Sequence, residues 1–69
     1  MIRWLREKRI ASNLSQKEVA NKALISQQYY NFIENGKRHP PVETAKKIAE
    51  VLGFDWTQFY NDDPKQNAG

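Results

Sequence analysis

The stretch SQKEVANKALISQQYYNFIENGK, residues 15–37, decides the fold of this chain because it contains two helix starts in close succession. Ser15 followed by Glu18 is the pattern of a capping box, in which the two side chains bind free amides at a helix start. Ser26 suits a second helix start, and Gly36 suits a helix end. The stretch therefore predicts two short helices.

The connection between these two helices is too short for an antiparallel pair. The first helix is expected to run to about Ala23 and the second to span about 26–35, so only Leu24 and Ile25 separate them. A connection of this length forces the two helices to cross sharply. The sequence thus predicts a helix-turn-helix.

The residues before this stretch predict a first helix with one apolar face. Ile2, Leu5 and Ile10 fall on that face, so all three are expected in a core. Asn13 tolerates the left-handed conformation that often ends a helix, and it is therefore the expected end of the first helix.

Two more helices are predicted after the stretch. Proline suits the first turn of a helix, so the fourth helix is expected to begin near Pro41 or Val42 and to end at Gly53. Asp55 with Gln58 repeats the capping pattern and predicts a short fifth helix. The aromatic residues of this last helix are Trp56, Phe59 and Tyr60.

The fold class follows from these elements. No stretch alternates apolar and polar residues long enough to form a sheet, so we predict an all-α protein. Residues 1–60 are expected to form one compact five-helix domain, and residues 61–69 a polar, disordered C-terminal tail.

Length and composition limit the functions that this chain can have. With 69 residues it is one small domain without room for a large enclosed pocket, so its function must lie on its surface. It contains no cysteine, which excludes disulfides and thiolate metal sites. No apolar run approaches the roughly 20 residues of a membrane helix, so we expect a cytoplasmic protein without a membrane partner.

The charge is divided unevenly along the chain. Residues 1–39 contain eight Lys or Arg and three acidic residues, whereas residues 40–69 contain three and five. A basic half favours a polyanionic partner, but a solvated surface produces the same pattern.

The second helix of the stretch has one polar side. A helical wheel places on it Gln28, Asn31 and Asn35, flanked by Gln27 and Phe32. Side-chain amides donate and accept hydrogen bonds at once, so they match the N6 and N7 edge of adenine in a DNA major groove. An ordinary amphipathic helix has the same pattern, and these residues alone leave both interpretations open.

A family resemblance favours DNA. The segments SQKEVA at 15–20, ISQQYYNFIENGK at 25–37 and KKIAEVLGF at 46–54 occur in the order and at the spacing of one family. Through them, residues 5–60 resemble the Xre-type helix-turn-helix DNA-binding family of the Cro and lambdoid repressor kind. The resemblance implies a lambda-repressor-like fold and a sequence-specific double-stranded DNA-binding transcriptional regulator of bacterial or phage type, acting as a repressor.

The resemblance also assigns DNA contacts. The helix over about 26–35 would enter the major groove, and its base-contacting residues would be Gln27, Gln28, Asn31 and Phe32. The phosphate contacts would come from Gln16, Ser26, Asn35, Lys37 and Arg38. Lys37 and Arg38 follow the helix end and would add salt-dependent affinity without sequence preference, although a solvated loop is the other interpretation of the pair.

Two structural assignments come from the same resemblance. Arg9 and Glu34 match a pair that forms an internal salt bridge in several members of the family. Members often dimerise through the last helix, which implies a weak homodimer, or a dimer on DNA, and a pseudo-palindromic operator. The implied interface consists of Trp56, Phe59 and Tyr60.

Two residues depart from the family pattern. The family usually has glycine in the turn where this chain has Leu24, so either Leu24 is strained or the turn has another shape. Phe32 is unusual on a surface that contacts bases. It either touches a thymine methyl or packs back onto the domain.

Other functions have weaker support. His39 has no second histidine or cysteine nearby, so a solvated side chain or a phosphate contact is expected, and neither an enzyme nor any cofactor or metal is predicted. The second hypothesis is a protein-interaction module of the same fold, such as an antirepressor or an antitoxin-like partner, with the aromatic residues of the last helix as its surface. Retention on a heparin column would favour DNA binding over this alternative.

Overall fold

A computed structural model describes residues 2–61, which form five helices and no strand. The helices are α1 (Arg3–Ala11), α2 (Gln16–Lys22), α3 (Gln27–Glu34), α4 (Val42–Leu52) and α5 (Gln58–Asn61). The prediction of an all-α, five-helix fold is confirmed. Of the predicted tail over 61–69, Asn61 instead closes α5, and residues 62–69 lie outside the described residues.

The local signals of the sequence determine where α2 and α3 begin. Ser15 Oγ accepts a hydrogen bond from Glu18 N at 3.1 Å, and Glu18 Oε1 accepts one from Ser15 N at 2.8 Å, so the predicted capping box is present. Ser26 Oγ accepts from Tyr29 N at 3.1 Å and caps α3. Each cap satisfies amides that the helix itself leaves without a partner.

The core lies between the helices and receives side chains from all of them. It consists of Leu5, Val19, Ala20, Ala23, Tyr30, Ile33, Ala45, Ile48, Leu52 and Phe59. The expectation that Ile10 joins this core is wrong, because its side chain is 55% exposed. Arg9, one position earlier on α1, turns inward to pair with Glu34, and Ile10 lies about 100° further round the helix on the solvent side.

The turn between α2 and α3 places Leu24 in the left-handed conformation. Leu24 has a φ of 60°, and its side chain is 79% exposed. Of the two alternatives that the sequence left open, the chain keeps the turn and strains Leu24. This conformation costs a residue with a Cβ atom about 1–2 kcal/mol, and an exposed side chain recovers little of it through packing.

Replacing Leu24 with glycine is expected to raise the free energy of unfolding by about 0.5–1 kcal/mol. The gain is the relieved backbone strain minus the larger conformational entropy that glycine loses on folding. Urea denaturation measures it. Leu24→Ala is the matched control, since alanine removes the exposed side chain but keeps the Cβ atom, and its stability should stay close to wild type. A glycine variant less stable than the alanine variant would contradict the strain argument.

The last helix is shorter than the capping pattern predicts. Asp55 Oδ1 accepts from Thr57 N at 2.9 Å and from Thr57 Oγ1 at 2.8 Å, so Asp55 closes a local turn rather than a capping box with Gln58. As a result α5 begins at Gln58, and Trp56 lies in the turn before it. Hydrogen bonds to the backbone and hydroxyl of Thr57 also hold the pKa of Asp55 below its ordinary value.

The helices within residues 2–61 are too short or too polar for any of them to cross a membrane.

Candidate nucleic-acid interface

The first turns of α3 present the predicted base-contacting residues to solvent. Gln27 and Gln28 are exposed, and Asn31 and Phe32 are partly buried. The opposite side of α3 is anchored in the core by Tyr30 and Ile33, both 0% exposed. Because one side of α3 is anchored in the core, the opposite side is available to a partner. The exposed amides of Gln27 and Gln28 lie in its first turn.

An open depression of about 300 Å³ lies beside this free side of α3. It is lined by Ser26, Gln28, Tyr29, Phe32 and Arg38. Phe32 thus lies on the same surface as Gln28 and is not a member of the core. Tyr29 also lines the depression while it packs partly against the core, and the sequence contains no clear signal for this placement.

The loop after α3 brings basic side chains to the same surface. Gly36 has a φ of 78°, and the amides of Lys37 and Arg38 donate to Phe32 O at 2.8 and 3.2 Å, so the backbone folds back against the end of α3. Both basic side chains are exposed, and Arg38 reaches the depression beside α3. A guanidinium there offers donors that suit phosphate oxygens.

A buried carboxylate lies behind the interface. Glu34 is 2% exposed, and Arg9 Nε donates to its Oε1 at 2.8 Å while Arg9 Nη2 donates to its Oε2 at 3.3 Å. Tyr30 OH also donates to Oε1, at 3.0 Å. The ion pair expected between Arg9 and Glu34 is thus formed, and it joins α1 to α3. The i, i+4 spacing of Tyr30 and Glu34 is the feature of the sequence that indicates this contact.

The ionisation of this cluster follows from its contacts. Burial pushes the pKa of Glu34 upward, but hydrogen bonds from Arg9, Gln16 and Tyr30 outweigh it, and the net pKa lies below the ordinary 4.5. The hydrogen bond to Glu34 raises the pKa of Arg9, and burial raises that of Tyr30. Glu34 is therefore an acceptor only, and its neighbours are donors.

Three amide side chains continue from Glu34 toward the interface. Gln16 Nε2 donates to Glu34 Oε2 at 2.6 Å, and Asn31 Nδ2 donates to Gln16 Oε1 at 3.0 Å. Asn35 Nδ2 donates in turn to Asn31 Oδ1 at 3.0 Å. We call these three residues the amide chain. The family resemblance implies a separate DNA contact for each of them, and only the i, i+4 spacing of Asn31 and Asn35 indicates that any two of them meet.

The aromatic residues near the C-terminus divide between core and surface. Phe59 is 4% exposed and packs against Trp4, with ring centroids 5.2 Å apart, so its assignment to a dimer interface is corrected. It is buried because α5 lays this side chain onto α1. Trp56 and Tyr60 remain partly exposed, with ring centroids 5.8 Å apart. Only these two of the three residues offer surface to a partner.

Comparison with known proteins identifies the family to which this fold and surface belong. The model of the helix-turn-helix family HTH_3 matches residues 5–59, which cover all five helices apart from the first two residues of α1 and the last two of α5. The chain therefore belongs to this helix-turn-helix family.

Curated relatives match over most of the chain. The uncharacterized HTH-type transcriptional regulator YqaF of Bacillus subtilis (strain 168) is 50% identical over 62 residues, which are 90% of this chain and 82% of YqaF. Control protein C.MunI of Mycoplasma sp is 33% identical, over 80% of this chain and 74% of that protein. The cryptic phage CTXphi transcriptional repressor RstR of Vibrio cholerae is 31% identical, over 84% of this chain and 52% of RstR. No solved structure gives a significant match.

Proposed function

We propose that this DNA-binding transcriptional regulator inserts α3 into the major groove of a specific operator and represses transcription there. The observation that carries the proposal is the exposure of Gln27 and Gln28 at the front of a helix whose other side is fixed in the core. Their amides match the donor and acceptor of adenine. Asn31 lies one turn further along on the same side, and Phe32 supplies apolar surface for a thymine methyl.

The phosphate contacts surround this surface. Lys37 and Arg38 provide charge beside α3, and Ser26 Oγ, which accepts from Tyr29 N, still has its hydroxyl proton to donate to a phosphate. Gln16 and Asn35 each use one amide proton within the amide chain and keep a second one for a phosphate oxygen. In the proposed interface, the residues at the centre thus contact bases and the residues at the edge contact phosphates.

Repression and dimerisation are the finer parts of the proposal. The similarity to RstR, which is named a transcriptional repressor, supports repression. The operator that this protein would occupy lies on the nucleoid, in the cytoplasm. The partly exposed Trp56 and Tyr60 support a weak homodimer or a dimer formed on DNA. Two copies related by a two-fold axis would contact a pseudo-palindrome whose half-sites are about 10 base pairs, roughly 34 Å, apart.

Selection of bound sequences from random duplex DNA tests the proposal. The expected result is one enriched motif that contains two inverted half-sites at this spacing. Enrichment of a single half-site would support sequence-specific DNA binding but contradict the proposed dimer. If no sequence is enriched, the proposed function is wrong, and the protein-interaction module becomes the function to test by heparin retention.

Replacing Lys37 and Arg38 together with alanine is expected to reduce the salt dependence of DNA binding. Each phosphate contact contributes roughly one unit to the slope of log affinity against log salt concentration, so the slope should fall by about two units. The loss should be equal for selected and random duplexes, because phosphates carry no sequence. Fluorescence anisotropy over a series of salt concentrations measures the slope.

The matched control removes the same charge from other elements. Arg3 on α1 and Lys47 on α4 are exposed, and their double alanine variant should keep the wild-type slope within about half a unit. Equal slopes for the wild type and the Lys37/Arg38 variant would show that the loop does not contact phosphate.

A further inference from the structure

The amide chain has a direction, and the buried carboxylate of Glu34 determines it. A carboxylate accepts hydrogen bonds and donates none, so the Gln16 atom 2.6 Å from Glu34 Oε2 must be the nitrogen Nε2. Gln16 Oε1 therefore lies toward α3 and needs a donor, which Asn31 Nδ2 supplies. Asn31 Oδ1 then needs a donor in the same way, and Asn35 Nδ2 supplies it. Every bond of the chain donates toward Glu34.

We infer that Glu34 is a positioning residue that sets the base preference of Asn31 from within the protein core. This inference rests on the proposed function, since it concerns the base that Asn31 contacts. Asn31 has one amide proton and one oxygen lone pair left after its two bonds within the chain. The direction of the chain decides on which side of Asn31 each of them lies.

The exchange of these two groups would matter at a base edge. Adenine presents a donor at N6 and an acceptor at N7, whereas guanine presents acceptors at both O6 and N7. If the free proton and the free lone pair of Asn31 exchanged places, the proton would face the N6 donor of adenine and the oxygen would face the N7 acceptor. Glu34 thus acts on specificity without touching DNA, through Gln16 on a different helix.

The variant Glu34→Gln tests the inference because it reverses the chain while keeping the shape of the side chain. The side-chain oxygen of the introduced glutamine, in the place of Oε1, would accept from Arg9 Nε and Tyr30 OH. Its amide nitrogen, in the place of Oε2, would donate to Gln16 and would leave Arg9 Nη2 without its acceptor. Gln16, Asn31 and Asn35 would then all turn over. Without DNA, side-chain nuclear Overhauser effects should connect the Gln16 Nε2 protons to residue 34 in the wild type and to Asn31 in the variant.

The second readout is base preference on DNA. Competition between the four base pairs at each position of the selected site should show a loss of about tenfold in preference at one base pair per half-site, as expected for one lost amide contact. Affinity for random duplex should stay near wild type. Tyr30→Phe is the matched control: it removes one donor to Glu34 Oε1 without touching Gln16, and should lower the melting temperature with all preferences unchanged.

A third variant keeps the test decisive if Glu34→Gln does not fold. Gln16→Met cuts the chain at a partly exposed position and should abolish preference at the same base pair, in addition to a uniform loss of affinity from any phosphate contact. If the wild type prefers its site and the folded variants keep the same base preference, the inference is wrong but the proposed function stands. A wild type with no site preference overturns the proposed function and the inference with it.

Discussion

Glu34→Ala is expected to lower the free energy of unfolding by roughly 3–5 kcal/mol, because it leaves Arg9 partly buried without its counter-charge. The guanidinium is held by both carboxylate oxygens, and within residues 2–61 its other hydrogen bond runs from Nη1 to Leu14 O at 2.9 Å. The phenol of Tyr30 loses its acceptor at the same time. Urea denaturation at neutral pH measures the loss, and Glu50→Ala, at an exposed position on α4, should change stability by less than about 0.5 kcal/mol.

The same variant should change the response to acid. Because the pKa of Glu34 is lower in the folded chain than its ordinary 4.5, the unfolded chain binds the proton first as the pH falls. The stability that Glu34 contributes is therefore complete above pH 4.5 and is lost below it, as the pH passes through the folded-state pKa. The stability difference between wild type and Glu34→Ala should shrink over that range. A difference that is small at neutral pH, or that stays constant as the solution is acidified well below the ordinary pKa, would contradict the role of a stabilising carboxylate.

Gln28→Ala is expected to weaken the preference for the selected DNA site, most plainly at one base pair in each half-site, while the fold stays intact. An amide that binds adenine at two points discriminates by about 1–3 kcal/mol against other bases, and the effect doubles on a two-fold symmetric operator. Gln28 is exposed, so its removal leaves the core unchanged. Competition binding with cognate and scrambled duplexes measures the preference.

The outcome for random duplex separates specificity from general affinity. Random-duplex affinity of Gln28→Ala should remain close to wild type, since phosphate contacts supply it. Glu50→Ala again serves as the surface control and should keep the full preference. If Gln28→Ala also keeps it, then the front of α3 is ordinary helix surface, and the proposed orientation of the helix in the groove is wrong.

The local part of the fold could be predicted because its causes are local. Ser15 and Glu18 form their capping box within one helical turn, and Gly53 ends α4 with a φ of 76°. These signals depend on residues three or four apart, which a sequence displays directly. The helix order and the short turn at Leu24 followed from them.

The parts that could not be predicted depend on distant partners. Ile10 fits the core pattern as well as Leu5 does, and only the pairing of Arg9 with Glu34, 25 residues away, turns α1 so that Ile10 faces solvent. Phe59 and Trp56 are equally apolar, and packing against Trp4 decides which of them is buried. The contact between Gln16 and Asn31 joins two helices, and no pattern within either helix predicts it.

The cluster around Glu34 also determines what could be cut out of this protein and moved elsewhere. The segment 15–37 contains both helices of the motif with their caps, yet Glu34 depends on a guanidinium that comes from α1. Transplanted alone into another scaffold, the segment would bring an unpaired carboxylate into whatever core received it. Any portable unit of this protein must therefore include α1 together with α2 and α3, because the motif and the helix before it share one charge pair.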